Sequence, residues 1–158
     1  MIDIECYQHT RAAEVVGLFH RSVHAIDPKL YSEAQKEAWA PSPPDHRYWA
    51  NRWALKRPFL AIIDGRVAGF MALEPDGHID CTYVEPEFQG QGVAKALYQH
   101  IECIARAKSL QRLSVEASIP ARGFFQRMGF SVLKRNCLRR RDQILINFSM
   151  EKRLRETR

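Results

Sequence analysis

The sequence predicts an α/β (α+β) fold in which a mixed, mostly antiparallel sheet of about six to seven strands is flanked by helices. Three observations carry this reading. The stretch FLAIIDGRVAGFMALEPDGHIDCTYV holds three strand-like runs joined at Asp64-Gly65 and at Pro75-Asp76-Gly77, and Asp-Gly between apolar runs is a hairpin signal. From Val93 the period changes: Val93, Leu97, Ile101, Ile104 and Ala105 fall on one helical face. Near the end, Ile144, Ile146, Phe148 and Met150 alternate along one face of a closing strand.

The elements follow in order. MIDIECY alternates apolar and polar residues and reads as a first strand. Residues 10–24 read as a helix, capped by Thr10, with Val15, Val16, Leu18, Phe19 and Val23 on a broad apolar face. A second helix is expected from about Tyr31 to Trp39, with Ser32 near its start, and APSPPD stops it because proline cannot continue a helix. HRYWANRWALKRP is expected as a short helix or a loop. The antiparallel meander comes next, and VEPEFQGQGVAKALYQHIECIARAKS leads into a long helix. RLSVEA is a strand, SIPARGFFQRMG a short helix, and FSVLKRNCL with DQILINFSME a closing hairpin. No internal repeat or linker interrupts this order, so residues 1–158 are expected to form one domain.

Composition narrows the class. A chain that is 46% hydrophobic and 27% charged is that of an ordinary globular protein. No apolar run approaches the ~20 residues of a membrane span, and the N-terminus lacks a basic segment followed by an apolar one. A cytoplasmic location is expected. Cys6, Cys81, Cys103 and Cys137 are scattered with no C-x-x-C pair, so no metal site is expected, and they read as reduced, mostly buried thiols. The net charge of +6 admits nucleic acid, an anionic membrane or a phosphate-rich small molecule as partner. Its clusters, Arg139 to Arg141 and the tail EKRLRETR, read as a solvated turn and a frayed tail. With no helix-turn-helix, zinc pattern or RNP-like strand, nucleic acid is not an expected partner, and neither is a membrane.

The chemistry concentrates in YVEPEFQGQGVAKALYQH. A strand ends near Val84, a tight loop carries Gly90 and Gly92, and a helix begins at once. First-turn amides of a helix lack internal partners, and the macrodipole adds partial positive charge. Glycines let the backbone approach a phosphate closely, so backbone amides from Gln89 to Ala94 would form an anion cradle. The loop has neither a Walker-type Gly-Lys-Ser/Thr nor a G-x-G-x-x-G fingerprint.

Gln89-Gly90-Gln91-Gly92-Val93-Ala94 resembles the Q/R-x-x-G-x-G/A motif of the GCN5-related N-acetyltransferases. YVEPEF is similar to that family's strand-four ending, and ARGFFQRMGF resembles its A-x-x-F-Y-x-x-x-G-F segment. The resemblance covers most of the chain and is strongest over residues 59–150. It implies a sheet splayed between strands four and five, with acetyl-CoA in the gap. Helices over about 10–57 would form the acceptor side, and residues 59–150 the cofactor core. The pantetheine arm would pair with the backbone of Cys81 to Val84, including Tyr83, as an added strand. Gln89, Gly90, Gln91, Gly92, Val93 and Ala94 would hold the pyrophosphate, and Ser118, Arg122 and Phe125 would also meet CoA. The reaction implied is direct acetyl transfer to a primary amine of a small molecule or amino-acid-like acceptor. A peptide amine as acceptor, or a CoA-binding sensor without catalysis, are the other readings. The family often dimerises, so a homodimer stays open.

Direct transfer needs a neutral amine, a polarised carbonyl and a tolerable leaving thiolate. Strand alternation puts Ile79, Cys81 and Tyr83 on one face and His78, Asp80 and Thr82 on the other, with Ser114, Glu116 and Ser118 sharing a face of the next strand. Asp80 is the first choice for the base and Glu116 the second, while His78, near a turn, is expected to be exposed. An amide near Val84 would polarise the carbonyl, by analogy with the family. The family's proton-donating tyrosine corresponds to Phe125, which cannot donate, so Tyr83, Ser118 or water takes that place. Ala121, Phe124, Phe125 and Met128 form one apolar stripe at i, i+3, i+4, i+7, which sets Phe125 beside the cofactor. The acceptor pocket is expected from His24, Tyr31 and Trp39, with Tyr48, Trp49 and Trp53 nearby. Such aromatics suit an amine with an apolar body.

Overall fold

The computed structural model describes residues 1–155. The chain runs β1 (Asp3–Cys6), α1 (Ala12–His24), α2 (Glu33–Trp39), α3 (His46–Lys56), β2 (Phe59–Ile63), β3 (Arg66–Leu73), β4 (His78–Val84), α4 (Val93–Ala107), β5 (Arg112–Ser118), α5 (Ile119–Arg127), β6 (Ser131–Arg140) and β7 (Gln143–Arg153). The strands form one seven-stranded sheet in the order β1-β2-β3-β4-β5-β7-β6. Every neighbouring pair is antiparallel except β4 and β5. No helix among the described residues is long and apolar enough to cross a membrane.

Local chemistry explains most boundaries. Ser32 caps α2 through a reciprocal capping box with Gln35, Asp45 caps α3 by accepting from the Tyr48 amide, and Ser118 caps α5 by accepting from the Ala121 amide. Asp64 and Gly65 both take positive φ (49° and 76°), the primed-turn geometry that matches strand twist in a two-residue hairpin. The expected cap at Thr10 is not made. A single 3₁₀ turn, His9–Arg11, precedes α1, whose first turn has no side-chain cap. The segment left open as helix or loop is the 11-residue α3.

Two cores sandwich the sheet. One face packs against α4 and α5, burying Met71, Ile79, Leu97, Ile101, Val115 and Phe125 among others. The other packs against α1 and α3, around Val16, Phe19, Trp53, Phe70 and Cys81. Of the cysteines only Cys81 is buried. Cys6, Cys103 and Cys137 are exposed, because they lie on an edge strand, on the outer face of α4 and on the exposed β6. The expectation of mostly buried thiols is therefore corrected.

A bulge in β4 corrects the strand's expected faces. Met71 pairs with Thr82 but Leu73 pairs with Ile79, so β4 carries one extra residue. Ile79 thus joins the α4 core, whereas Cys81, two residues on, joins the α1 core. A bulged residue breaks the period of two, and every side chain beyond it changes face.

Candidate functional site

The site begins where the parallel pairing stops. Only His78 with Ser114 and Ile79 with Val115 are in register across β4 and β5. Beyond them the strands diverge, and two cavities flank the opening. One, of about 620 Å³, lies toward α4 and α5 and is lined by Thr82, Val84, Gln89, Gly90, Gly92 and Val93, among others. The other, of about 530 Å³, lies between α1–α3 and the β6–β7 hairpin. Trp39, Asp80, Tyr83, Glu116 and Ser118 line both, so these residues mark the junction.

The loop before α4 has the features of an anion cradle. Gly90 and Gly92 take φ of 80° and 83°, a region that L side chains rarely adopt. A Cβ built on either glycine meets no heavy atom within 4 Å, so both face open space. The amides of Gly92, Val93, Ala94 and Lys95 find no acceptor among the described residues. They are the orphan donors of a 15-residue helix, aimed with its positive end. Ala94 and Lys95 line the first cavity, as does Arg127 from α5. Gln91 lies on the loop outside the lining, and its amide group donates to the Glu87 carbonyl at 3.3 Å. The Thr82 hydroxyl is buried without a partner on the same strand edge. Anchoring the whole exit, Glu85 is 6% exposed and takes a bidentate pair from Arg21 of α1 at 2.7 and 2.8 Å.

The apolar stripe on α5 lies where the sequence puts it. Ala121, Phe124, Phe125 and Met128 all line the first cavity. Phe125 is also 1% exposed and packs against Phe124, Phe130 and Tyr98. The Tyr98 hydroxyl donates to Glu102 at 2.6 Å. Arg122 lies outside both cavities, its guanidinium stacked 4.6 Å from the Phe148 ring.

At the junction the two carboxylates differ. Asp80 is engaged through Oδ2 by Lys56 at 3.3 Å and by Arg52 at 3.8 Å. Glu116 accepts through Oε1 from His78 Nε2 at 2.7 Å, while His78 Nδ1 contacts Glu74 at 2.5 Å. Glu116 Oε2 has no partner among the described residues. His78 is therefore not an exposed turn residue but the centre of a Glu74–His78–Glu116 chain. Its burial opposes the charged form, yet the hydrogen bonds and charges of the two carboxylates outweigh it and raise its pKa. Tyr83 is partly buried, and its phenol is pushed well above the usual tyrosine range, first by burial. The phenol accepts from Trp39 Nε1 at 3.3 Å and keeps its proton free to donate. Ser118 accepts from the Ala121 amide at 3.3 Å and likewise keeps its proton.

The second cavity has aromatic walls from Phe19, Tyr31, Trp39, Tyr48, Trp49 and Trp53. Tyr31 is 2% exposed, and its hydroxyl donates to the Ile146 carbonyl at 2.5 Å and accepts from the Ile119 amide at 2.9 Å. It ties β7 to the start of α5, so its hydroxyl is committed on both sides. His24 reaches neither cavity; its Nε2 contacts the Ala40 carbonyl at 2.7 Å. Sequence reasoning missed Arg52, Arg140 and Asn147 on this wall and Lys95 and Arg127 on the other. Only Arg140 carried a signal, as part of the Arg139–Arg141 run read as a solvated turn.

Comparison with known proteins agrees with this geometry. The acetyltransferase (GNAT) family matches residues 24–130. An uncharacterized N-acetyltransferase, YafP of Escherichia coli, is 33% identical over 149 residues, covering 94% of each chain. The peptidyl-lysine N-acetyltransferase YjaB of Salmonella typhimurium is 28% identical, covering 86% of this chain and 88% of its own. A crystal structure from Rhodopseudomonas palustris, described as a GCN5-related N-acetyltransferase and also as a class-II aminotransferase, superposes with a TM-score of 0.90. It is 32% identical and covers 96% of this chain and 95% of its own.

Proposed function

This chain belongs to the GNAT acetyltransferase family, and from that premise we propose that it transfers an acetyl group from acetyl-CoA to a primary amine of a small-molecule or amino-acid-like acceptor. The observation that carries the reading is the junction: two cavities meet through the opening between β4 and β5, at two carboxylates and two hydroxyls. The residues fit the cofactor. Orphan amides from Gly92 to Lys95 and the open space before Gly90 and Gly92 suit a pyrophosphate, and the unpaired stretch of β4 with the unpartnered Thr82 suits a polar arm. Acetyl-CoA supplies an activated acyl group and a thiolate leaving group.

The chain's own groups then divide the work. Glu116, held by His78 through one oxygen, offers the other to take a proton from the acceptor's ammonium, directly or through water, so that the neutral amine can attack. Asp80 is the weaker candidate because two cations already claim its Oδ2. A backbone amide near Val84 polarises the carbonyl. As the N–C bond formed and the C–S bond broke, Tyr83 or Ser118 would give its proton to the thiolate and recover one, through water, from the nitrogen as that sheds its second proton. Tyr83 lines the junction of the two cavities with its proton uncommitted, and that placement suits the role. Aromatic walls of the second cavity hold the body of the acceptor.

The test is thiol release from acetyl-CoA with a panel of primary amines, and mass analysis of the N-acetylated product. CoA binding without release by any amine or lysine peptide would leave a sensor in place of an enzyme.

A further inference from the structure

We propose, resting on the acetyl-transfer reading above, that the acceptor carries an anionic group at the far end of its apolar body from the amine. The second cavity is lined by two carboxylates at the junction, by aromatic rings and by Arg140 of the β6–β7 hairpin. Its inner end holds Asp80 and Glu116, whose charges are already met by Lys56, Arg52 and His78. Its outer end holds Arg140, which pairs with no carboxylate among the described residues.

Strand register measures the separation. Ser118, at the junction, pairs with Asn147 of β7, and Arg140 of β6 pairs with Gln143, four residues farther along β7. At about 3.4 Å per residue the Arg140 backbone stands roughly 14 Å beyond the junction along β7, and Arg140 lines the cavity from there. Arg139 and Arg141 flank it on the hairpin tip, and with Asp142 in the same turn the tip stays net positive. A carboxylate or phosphate at that end would gain a charge-assisted bond to guanidinium, which is stronger than a neutral one. An acceptor with a second ammonium there, or a lysine within a basic peptide, would meet like charge. Trp39, Trp49 and Tyr48 would cover a flat body between the two ends.

Four benzylamines that differ only at the para position test this: 4-(aminomethyl)benzoate, 4-(aminomethyl)phenylphosphonate, benzylamine and p-xylylenediamine, with a lysine peptide as a fifth arm. The expected order of kcat/KM puts an anionic amine at least about tenfold above benzylamine, and p-xylylenediamine lowest. The carboxylate and phosphonate arms tell which anion the tip prefers. Arg140→Gln should lower kcat/KM for the anionic amine at least about tenfold more than for benzylamine. Thermal shift of the CoA-saturated protein with the same amines reads binding without turnover: the anionic amine should give the larger shift, and Arg140→Gln should remove the excess. Turnover with no anion preference, or with the lysine peptide best, overturns this proposal and leaves acetyl transfer standing. An anion-dependent thermal shift without turnover of any amine overturns acetyl transfer and leaves this site standing. No anion-dependent effect in either assay overturns it outright.

Discussion

Replacing Gly92 separates the cost of its backbone from its role at the ligand. Gly92 has φ 83° and ψ 15°, and a Cβ there meets nothing within 4 Å. Gly92→Ala therefore pays only for the left-handed conformation, about 1–2 kcal/mol. For a chain of this size each kcal/mol moves Tm by about 2–4 °C, so the melt should fall by roughly 2–8 °C. Gly65 is a matched control: its φ is 76°, its Cβ also meets nothing, and it lines neither cavity. Gly65→Ala should cost a similar amount and leave CoA affinity unchanged. Gly92→Glu adds a carboxylate beside the proposed pyrophosphate. At about 5 Å and an effective dielectric of about 20, each like charge costs roughly 3 kcal/mol, more than a hundredfold in Kd. Titration calorimetry with CoA, alongside thermal melts, checks all three variants. Wild-type CoA affinity in folded Gly92→Glu would refute the placement, and so would an equal loss in Gly65→Ala.

Other changes follow from the same geometry. Glu116→Gln should lower kcat by roughly 10²–10⁴ while CoA affinity holds, and a change under tenfold in steady-state assays would shift the base elsewhere. His78 has a raised pKa, so the stability from its pairing with Glu74 and Glu116 is fully present below the unfolded value of about 6.5 and lost as pH rises through the folded one. Urea melts across that range should show wild type losing its advantage over His78→Gln as pH rises; a pH-independent difference would contradict the pairing. Arg21→Ala strands a buried Glu85, and because Arg21 itself is over half exposed the cost should be about 2–3 kcal/mol, below that of a fully buried pair. Arg21→Met with Glu85→Leu should recover most of it in chemical denaturation, whereas equal losses in the single and double variants would count against the pair. Phe125→Tyr should keep CoA binding and change turnover by less than about tenfold, and lost CoA binding would remove Phe125 from the cavity wall.

The legible parts of this protein are those whose causes are local. Asp64-Gly65 marks its hairpin because the turn itself demands positive φ, and Ser32 and Ser118 mark helix starts because their hydroxyls meet the amide three residues on. The stripe of Ala121, Phe124, Phe125 and Met128 was readable because a helix repeats its face every 3.6 residues. Thr10 shows the limit: a residue suited to a cap makes none when a 3₁₀ turn intervenes. His78 shows another, since its partners stand four and 38 residues away.

By itself the sequence determined the family, the order of elements and the glycine loop, since each is written in spacing along the chain. The tertiary structure alone decided the extra residue in β4, and with it which β4 side chains face each core, because a bulge exists only relative to the partner strand. It also decided that Asp80 is paired with α3, that His78 holds Glu116, and that the tip arginine Arg140 lines a cavity opened by β4, a strand far back along the chain. Such pairings are set by how distant elements pack, and no local period records them.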